Sequence, residues 1–198
     1  MGKRQEMALE TRQKLIDAVK RLSETKRYNE MSIDDITQEA GVAKGSFYTH
    51  FKRREDIVSV IALERFELVK EKSSADNLDI VVQISEFLIE SVNIIEDNTL
   101  EVGQQWYRSV TSPVDGETLG MSKLDYDRQF ISNLLKNAVD KDVLKSETDV
   151  DALTLQIVSL YYGAVALWCM SDGEISQVDI VRNFCKNELA SIIGKYRI

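Results

Sequence analysis

The sequence has few of the residues that break helices, form disulfides or bind metal ions. Among its 198 residues there is one proline, Pro113, one histidine, His50, and two cysteines, Cys169 and Cys185. The cysteines lie in apolar, helix-like contexts and are not a closely spaced pair, so we expect reduced, packed thiols. The only histidine is more than 100 positions from either cysteine. We therefore expect neither a metal site nor a cofactor.

Long apolar segments and enzyme motifs are also missing. No stretch reaches the roughly 20 uninterrupted apolar residues of a membrane span. The first six residues are charged and do not resemble a secretory signal, so we expect a cytoplasmic protein with no membrane partner. There is no glycine-rich phosphate loop and no nucleophile elbow. A catalytic dyad using His50 would have to form inside the motif described below, so we do not expect an enzyme.

Charge is unevenly distributed along the chain. The net charge is −8, which for the whole chain argues against nucleic acid. Residues 1–55, however, contain 12 Lys and Arg against 9 Asp and Glu, whereas the other 143 residues contain 13 against 24. A mildly basic N-terminal module joined to an acidic body is compatible with this pattern. An excess of this size also arises by chance, so charge alone does not decide the function.

Apolar residues recur at helical spacing through most of the chain, and no alternating run predicts a strand. The sequence therefore predicts an all-α protein of about nine helices. We expect them at about 6–24, 33–40, 44–50, 53–72, 77–96, 98–110, 119–141, 149–171 and 175–195. The first three would form an N-terminal domain at 1–54, and the others a larger helical domain at 55–198.

The last two predicted helices have distinct apolar patterns. Helix 149–171 is apolar almost all round, so it must be buried on more than one side. The stripe predicted for helix 175–195 consists of Val178, Val181, Cys185, Leu189 and Ile192. These residues pack within one chain or across a dimer, and the sequence alone does not say which.

The most informative segment runs from Met31 to Phe51. Ser32 followed by Asp35 forms a variant capping box, which predicts the start of a helix. Gly41 ends that helix where a left-handed backbone is needed. A second short helix then directs Phe47 and Phe51 inward. Two short helices joined by a glycine-containing turn are a helix-turn-helix pattern, although a structural helical hairpin has the same periodicity.

The residue types favour the first interpretation. The pattern Ile36-x-x-x-Ala40-Gly41-Val42-x-Lys44-Gly45-Ser46-Phe47-Tyr48-x-His50-Phe51-Lys52 closely resembles the DNA-binding signature of the TetR family of transcriptional regulators. The detailed resemblance covers about residues 9–60, and the rest agrees only in helix number, order and length. Three positions depart from the common pattern. Thr37 stands where alanine is frequent, Ala43 replaces the usual Ser or Thr cap of the second helix, and Arg27 stands where many members have glycine after the first helix.

The resemblance implies specific roles in DNA binding. Ser32 and Tyr48 would contact phosphates, and Lys52 and Arg54 would neutralise them. Base edges would face a second group of residues, namely Lys44, Gly45, Ser46 and Thr49. His50 would lie at the groove or at the DNA backbone. Tyr48 is also compatible with a core position, and the basic start of the next helix with an ordinary solvated surface.

For the C-terminal domain, the resemblance implies a homodimer through the last two helices and a pocket for a small-molecule effector. The candidate lining residues are aromatic: Phe66, Phe87, Trp106, Tyr107, Tyr126, Phe130, Tyr162 and Trp168. For each of them, however, ordinary core packing is the commoner explanation of an aromatic residue at helical spacing. Carboxylates such as Glu90 or Glu101 suit a cationic ligand or a solvated surface.

Two functions follow from these patterns. The favoured one is a sequence-specific transcriptional regulator that binds double-stranded operator DNA, acting as a repressor that a ligand releases. The alternative is a helical protein-interaction module that does not bind DNA.

Overall fold

A computed structural model describes residues 3–23, 25–26, 30–75, 77–97, 100, 103–104, 107 and 119–198. Within these ranges the chain is helical, and β-structure is limited to one isolated bridge, between Leu144 and Arg197. The helices are α1 (Lys3–Ser23), α2 (Ile33–Ala40), α3 (Lys44–His50), α4 (Arg54–Ser73), α5 (Ile80–Glu96), α6 (Leu119–Asp140), α7 (Val150–Met170), α8 (Gln177–Phe184) and α9 (Ala190–Gly194). The all-α prediction is confirmed.

The bounds of α2 and α3 agree with the predicted ones residue for residue, and the capping box at Ser32 and the glycine at position 41 mark the two ends of α2. Most of the other helices begin or end within one to three residues of the expected positions. Of the predicted helix at 98–110, only residues 100, 103, 104 and 107 are described.

The chain divides into two compact units, Met1–Arg65 with Asp97–Thr99, and Phe66–Glu96 with Leu100–Ile198. The division falls within α4, eleven residues beyond the expected boundary after residue 54. On α4, Ile57 and Ile61 are buried in the first unit and Phe66 is buried in the second.

The first unit has one hydrophobic core beneath α2 and α3. Its buried members come from α1, α2, α3 and the first half of α4: Leu15, Ile16, Val19, Met31, Ile36, Phe47, Phe51, Ile57 and Ile61. Ile33, Ala40 and Val42 pack against this core while partly exposed. The inward face predicted for the two short helices is confirmed, and it fixes which residues point outward.

In the second unit, α5 packs against α6 and α8, and α7 packs against α6 and α8. By length and composition α7 is suitable for a membrane span, and half of its most apolar window is buried. Nine of its side chains are buried in this unit, as in the core helix of a globular domain. Leu155, Leu167 and Met170 remain exposed on its outer face.

The last predicted helix differs from its expected form. It is interrupted by a π-helical turn at Cys185–Leu189, between α8 and α9. A π turn contains an extra residue, so it shifts the buried stripe by one position. Ile193 is therefore fully buried, whereas the predicted Ile192 is only half-buried. Both cysteines are free and buried, as expected, and burial raises the pKa of each thiol.

Candidate nucleic-acid interface

Helix α3 is held on the core by its two phenylalanines. Phe47 is completely buried and Phe51, which follows the helix, is 4% exposed. Their ring centroids lie 5.6 Å apart, and the guanidinium of Arg12 on α1 lies 5.3 Å from the Phe51 centroid. Removing a buried phenylalanine side chain typically costs about 3–5 kcal/mol. This anchoring fixes the rotation of α3 about its own axis and therefore determines its outer face.

The outer face of α3 is polar and accessible. Lys44, Gly45, Tyr48 and Thr49 are exposed. Tyr48 is 52% exposed, so it is a surface residue and not part of the core; its ring meets the edge of Phe47 at 5.7 Å between centroids. Ser46 and His50 are half-buried. These predicted residues therefore lie on one short helix that is supported from below.

Lys44, at the start of α3, is paired with a carboxylate of the preceding helix. Its Nζ lies 2.8 Å from Oδ1 of Asp34, and both side chains are more than half exposed. The hydrogen bond from Lys44 to Asp34 raises the pKa of Lys44, so the ammonium stays charged. Exposed ion pairs contribute little to stability. Lys44 can therefore exchange this partner for a phosphate or a base edge at small cost.

The predicted capping box at the start of α2 is present. The Ser32 Oγ accepts a hydrogen bond from the amide of Asp35 at 3.0 Å, and the Ser32 amide donates to Oδ2 of Asp35 at 2.8 Å. The hydrogen bond from the Ser32 amide is the main reason that the pKa of Asp35 falls to about 2. The Ser32 hydroxyl also donates to Asp35 in this arrangement. A phosphate contact would therefore use a reoriented hydroxyl.

The turn between the two helices has the expected backbone. Gly41 has φ of 65°, a left-handed conformation that side chains disfavour, and its amide donates to the carbonyls of Gln38 and Thr37. Ala43 begins α3 without any side-chain capping bond, as its missing hydroxyl predicts. Thr37 is buried, and its hydroxyl donates to the carbonyl of Ile33 at 2.9 Å.

Two further cations, Lys52 and Arg54, follow α3 along the chain. Lys52 is exposed, and its backbone amide and that of Arg53 donate to Oδ2 of Asp56 at 2.9 and 3.0 Å. Arg54 contacts the cap of α2, since its Nη1 donates to the carbonyl of Met31 at 3.0 Å. Arg54 therefore connects the start of α4 to the residue before the α2 cap. The sequence did not indicate this structural role of Arg54.

The same N-terminal region of the chain is similar to a known family of proteins. Residues 15–61 match the family model described as bacterial regulatory proteins, tetR family. This range includes the whole helix-turn-helix and all nine buried residues of the core beneath it. This match indicates a transcriptional regulator of the TetR family.

Curated and solved relatives match the chain beyond the motif. A probable HTH-type transcriptional regulator, ArpR of Pseudomonas putida, is 24% identical over 179 residues, which cover 83% of each chain. Two crystal structures have the same fold. PfmR of Thermus thermophilus is 19% identical with a TM-score of 0.54, covering 91% of this chain and 97% of that one. FadR of Bacillus subtilis, in complex with stearoyl-CoA, is 18% identical with a TM-score of 0.58 and the same coverage.

These findings identify a DNA-binding transcriptional regulator with an N-terminal helix-turn-helix. TetR-family regulators bind operator DNA, form dimers and bind small-molecule effectors. The matched relatives are regulators and not enzymes. Among the described residues, no three His, Cys, Asp or Glu side chains group in a way that could hold a metal ion.

Several of the aromatic residues predicted to line an effector pocket lie together in the second unit. Phe87 is completely buried and packs against Phe130, with ring centroids 4.7 Å apart. Tyr126 is 39% exposed, and its hydroxyl donates to Glu67. Tyr162 is half-buried and donates to Oδ2 of Asp127 at 3.1 Å.

The other candidates have different surroundings. Phe66 is buried, with the Lys123 ammonium 4.1 Å from its ring centroid. Trp168 is buried tightly against Gly103, since a Cβ added to that glycine would overlap the indole ring. Tyr107 is half-buried, and Trp106 lies outside the described residues. Of the two carboxylates considered for a cationic ligand, Glu90 is exposed, as a solvated surface predicts, and Glu101 lies outside the described residues.

Sequence reasoning missed two kinds of functional group. The contacts of Asp34 and Asp56 in the DNA-binding unit were not predicted, although acidic residues in the first turn of a helix are a recognised signal. The buried charges Lys70, Lys123 and Asp127 were also missed. A lysine and an aspartate four residues apart usually form a solvated pair on a helix surface, so the sequence held no sign of their burial.

Proposed function

We propose that this protein is a repressor that binds operator DNA through α3 and that a small-molecule ligand releases it. The observation that carries the proposal is the division of α3 into two faces. Phe47 and Phe51 lie in the core, while Lys44, Tyr48 and Thr49 point into solvent. A short helix with a polar outer face and a rigid inner anchor has the size and chemistry that the major groove accepts.

The proposed contacts fall into two groups. Lys44, Gly45, Ser46 and Thr49 face base edges, and a lysine ammonium in this position donates to guanine O6 or N7. Residues that contact phosphates set the register of the helix without reading sequence: Ser32, Tyr48, His50, Lys52 and Arg54. The small excess of positive charge in residues 1–55 allows an acidic protein to bind DNA at one end.

The protein acts as a homodimer through α7 and the segment from α8 to α9. On α7, exposed Leu155, Leu167 and Met170 form an apolar surface that a second copy would cover. One recognition helix reads only half a site. A dimer presents two such helices to half-sites about 34–36 Å apart.

The effector would bind the second unit, where Phe66, Phe87, Tyr126, Phe130 and Tyr162 are concentrated. One structural neighbour, the Bacillus subtilis FadR, was solved with stearoyl-CoA, so this fold accommodates a ligand. The protein has one arrangement that can bind the operator and one that cannot. A ligand releases the protein from DNA if it binds the second arrangement more tightly than the first. A DNA-binding regulator of this kind is expected to act in the cytoplasm.

A gel-shift titration on the DNA upstream of the protein's own gene tests the proposal. Lys44→Ala and Tyr48→Ala are expected to weaken binding about tenfold or more without changing helix content or oligomeric state. Lys136→Ala, on the exposed surface of α6, removes the same charge far from α3 along the chain and should bind like the parent. If both α3 variants bind the operator like the parent, α3 is not the recognition helix.

Salt dependence gives an independent test of the same interface. With two cationic phosphate contacts per subunit, from Lys52 and Arg54, a dimer should show a slope of about −4 in a plot of log affinity against log salt. A slope near zero would contradict the electrostatic part of the proposal. Complete failure to retard any upstream DNA would favour a protein-interaction module instead.

A further inference from the structure

Three charged side chains are buried together in the second unit. Asp127 on α6 is completely buried, and Lys123, one turn earlier, is 7% exposed. Lys70 on α4 is 6% exposed. Buried charges are rare unless they are paired, because removing them from water costs several kcal/mol per ion. Their pairing in this cluster is therefore informative.

The pairing in this cluster is incomplete. Oδ2 of Asp127 accepts from Lys123 at 2.5 Å and from the Tyr162 hydroxyl at 3.1 Å. Oδ1 of Asp127 and Nζ of Lys70 have no hydrogen-bond partner, and 3.9 Å separates these two atoms. This distance is too long for a direct hydrogen bond. The buried Lys70 ammonium therefore has an ion pair with Asp127 but no hydrogen bond, and it lies over the rings of Tyr126 and Phe130.

The charges of the cluster do not balance. Two lysines share one buried carboxylate, which Lys123 already occupies. Glu67 on α4, whose charge acts on both lysines, is exposed and accepts from the Tyr126 hydroxyl. Burial lowers the pKa of Lys70 to about 8 and also lowers that of Lys123. The buried charges of the cluster are therefore two positive and one negative.

A cleft opens beside the cluster. It has a volume of about 270 Å³ and is lined on its apolar side by Leu78, Ile80, Phe130, Leu134 and Ala138. Ser74, one helical turn after Lys70, also lines it, and so does Phe130, whose ring centroid lies 5.5 Å from the Lys70 ammonium. The volume is near the lower limit for ligand pockets, which suits a small molecule.

We propose that Lys70 binds the carboxylate of a small amphipathic effector whose apolar part occupies this cleft. This inference rests on the proposed function and gives its effector a chemical class, an organic monoanion. A carboxylate oxygen would complete the hydrogen bonding of Lys70 and supply a second negative charge. The aromatic rings around the cluster and the cleft would contact the hydrocarbon part of the effector.

Calorimetry in the absence of DNA tests the site directly, with octanoate as the probe. Octanol is the neutral control ligand of the same chain length, and octylamine is the cationic one. Octanoate is expected to bind saturably and at least tenfold more tightly than either control ligand. Equal binding of octanol, or no saturable octanoate binding up to about 5 mM, would overturn the proposal. These outcomes depend only on the wild-type protein.

Variants on α4 locate the binding site. Lys70→Met keeps most of the side-chain length while removing the charge, and it is expected to weaken octanoate binding at least tenfold. Lys72→Met removes a charge from an exposed position on the same helix and should leave binding unchanged. If Lys70→Met binds octanoate like the parent, Lys70 is not the anion site.

The affinity for octanoate should also depend on pH. Lys70 faces Lys123, Tyr126 and Asp127 of α6 and Glu67 of its own helix, and Tyr162 of α7 bonds to Asp127. With a pKa of about 8, Lys70 loses its proton between pH 7 and pH 9, while octanoate stays ionised. Binding should weaken about tenfold over this interval in the parent and remain flat in Lys70→Met. A flat parent profile would contradict the assignment of the charge to Lys70.

Failure of the proposed anion site and failure of the proposed DNA-binding function would give different experimental results. A parent that retards operator DNA but binds no octanoate retains the proposed DNA function and loses only the anion site. A parent that binds octanoate through Lys70 but retards no operator DNA retains the site and loses the proposed function.

Discussion

The Nζ of Lys44, the first residue of α3, lies 2.8 Å from Oδ1 of Asp34 near the start of α2. This ion pair joins the two helices of the helix-turn-helix on their solvent side. It holds the lysine in place before DNA arrives. It also puts a negative charge beside the surface proposed to face phosphates, so Asp34 opposes the binding that Lys44 favours.

Asp34→Asn is therefore expected to strengthen operator binding about three- to tenfold at low salt. The change removes a charge that repels DNA and frees Lys44, while the side chain keeps its shape. The gain should shrink as salt increases, because screening weakens both effects. Fluorescence anisotropy with labelled operator at two salt concentrations measures this effect.

Asp151→Asn is a matched control for that variant. Asp151 occupies the same position relative to its N-cap, Asp149, as Asp34 does to Ser32, but it lies on α7 in the other unit. It should leave operator affinity unchanged. Equal affinity of Asp34→Asn and the parent at both salt concentrations would show that Asp34 does not lie near the DNA backbone.

Gly45→Ala should separate stability from DNA binding. No atom lies within 4 Å of a Cβ placed on Gly45, and alanine favours a helix over glycine by up to about 1 kcal/mol. The variant should unfold at the same or a higher temperature. Its operator affinity should nevertheless fall about tenfold, because a methyl group would obstruct close approach to base edges.

Gly41→Ala is the contrasting change. Its position has φ of 65°, where a side chain is strained whatever the space around it, so it should lose about 1 kcal/mol of stability. Unchanged DNA affinity in Gly45→Ala would indicate that α3 does not approach the bases closely at that residue.

Leu167→Glu should convert the protein to a monomer. Leu167 is 41% exposed on the outer face of α7, so a charge there does not disturb the core of one chain but would be buried in the proposed dimer. Light scattering should give the mass of one chain, and operator affinity should fall at least tenfold. Leu68→Glu, at a 55% exposed position on α4, should remain dimeric. A dimeric Leu167→Glu would exclude this face of α7 from the interface.

Stability should rise with pH because of Lys70. The folded protein loses this proton near pH 8, whereas the unfolded chain keeps it up to its usual pKa of 10.5. Between these values the unfolded state binds more protons, so the free energy of unfolding increases with pH. Urea denaturation from pH 7.5 to 9.5 should show a gain of about 1–2 kcal/mol in the parent relative to Lys70→Met. The range stops below the tyrosine pKa of about 10, since tyrosine ionisation in the unfolded chain would reverse the trend. Parallel profiles for the two proteins would mean that Lys70 titrates normally.

The sequence by itself determined the bounds of the helix-turn-helix and which face of its helices is buried. Ser32, Gly41 and the pair Phe47 and Phe51 act within a few residues along the chain, through capping, backbone conformation and helical periodicity. Local signals of this kind predicted the bounds of α2 and α3, the buried face and the exposed position of Lys44. The family signature added the function, because it occupies the same short segment.

Only the tertiary structure decided which charged side chains pair with each other and which are buried. Lys44 meets Asp34 across a turn, and Lys70 on α4 meets Lys123 and Asp127 on α6 more than 50 residues later. The sequence pattern of these residues is that of solvated helix surfaces. Burial depends on how whole helices pack, and only that packing turned an ordinary lysine into a buried ammonium without a hydrogen-bond partner.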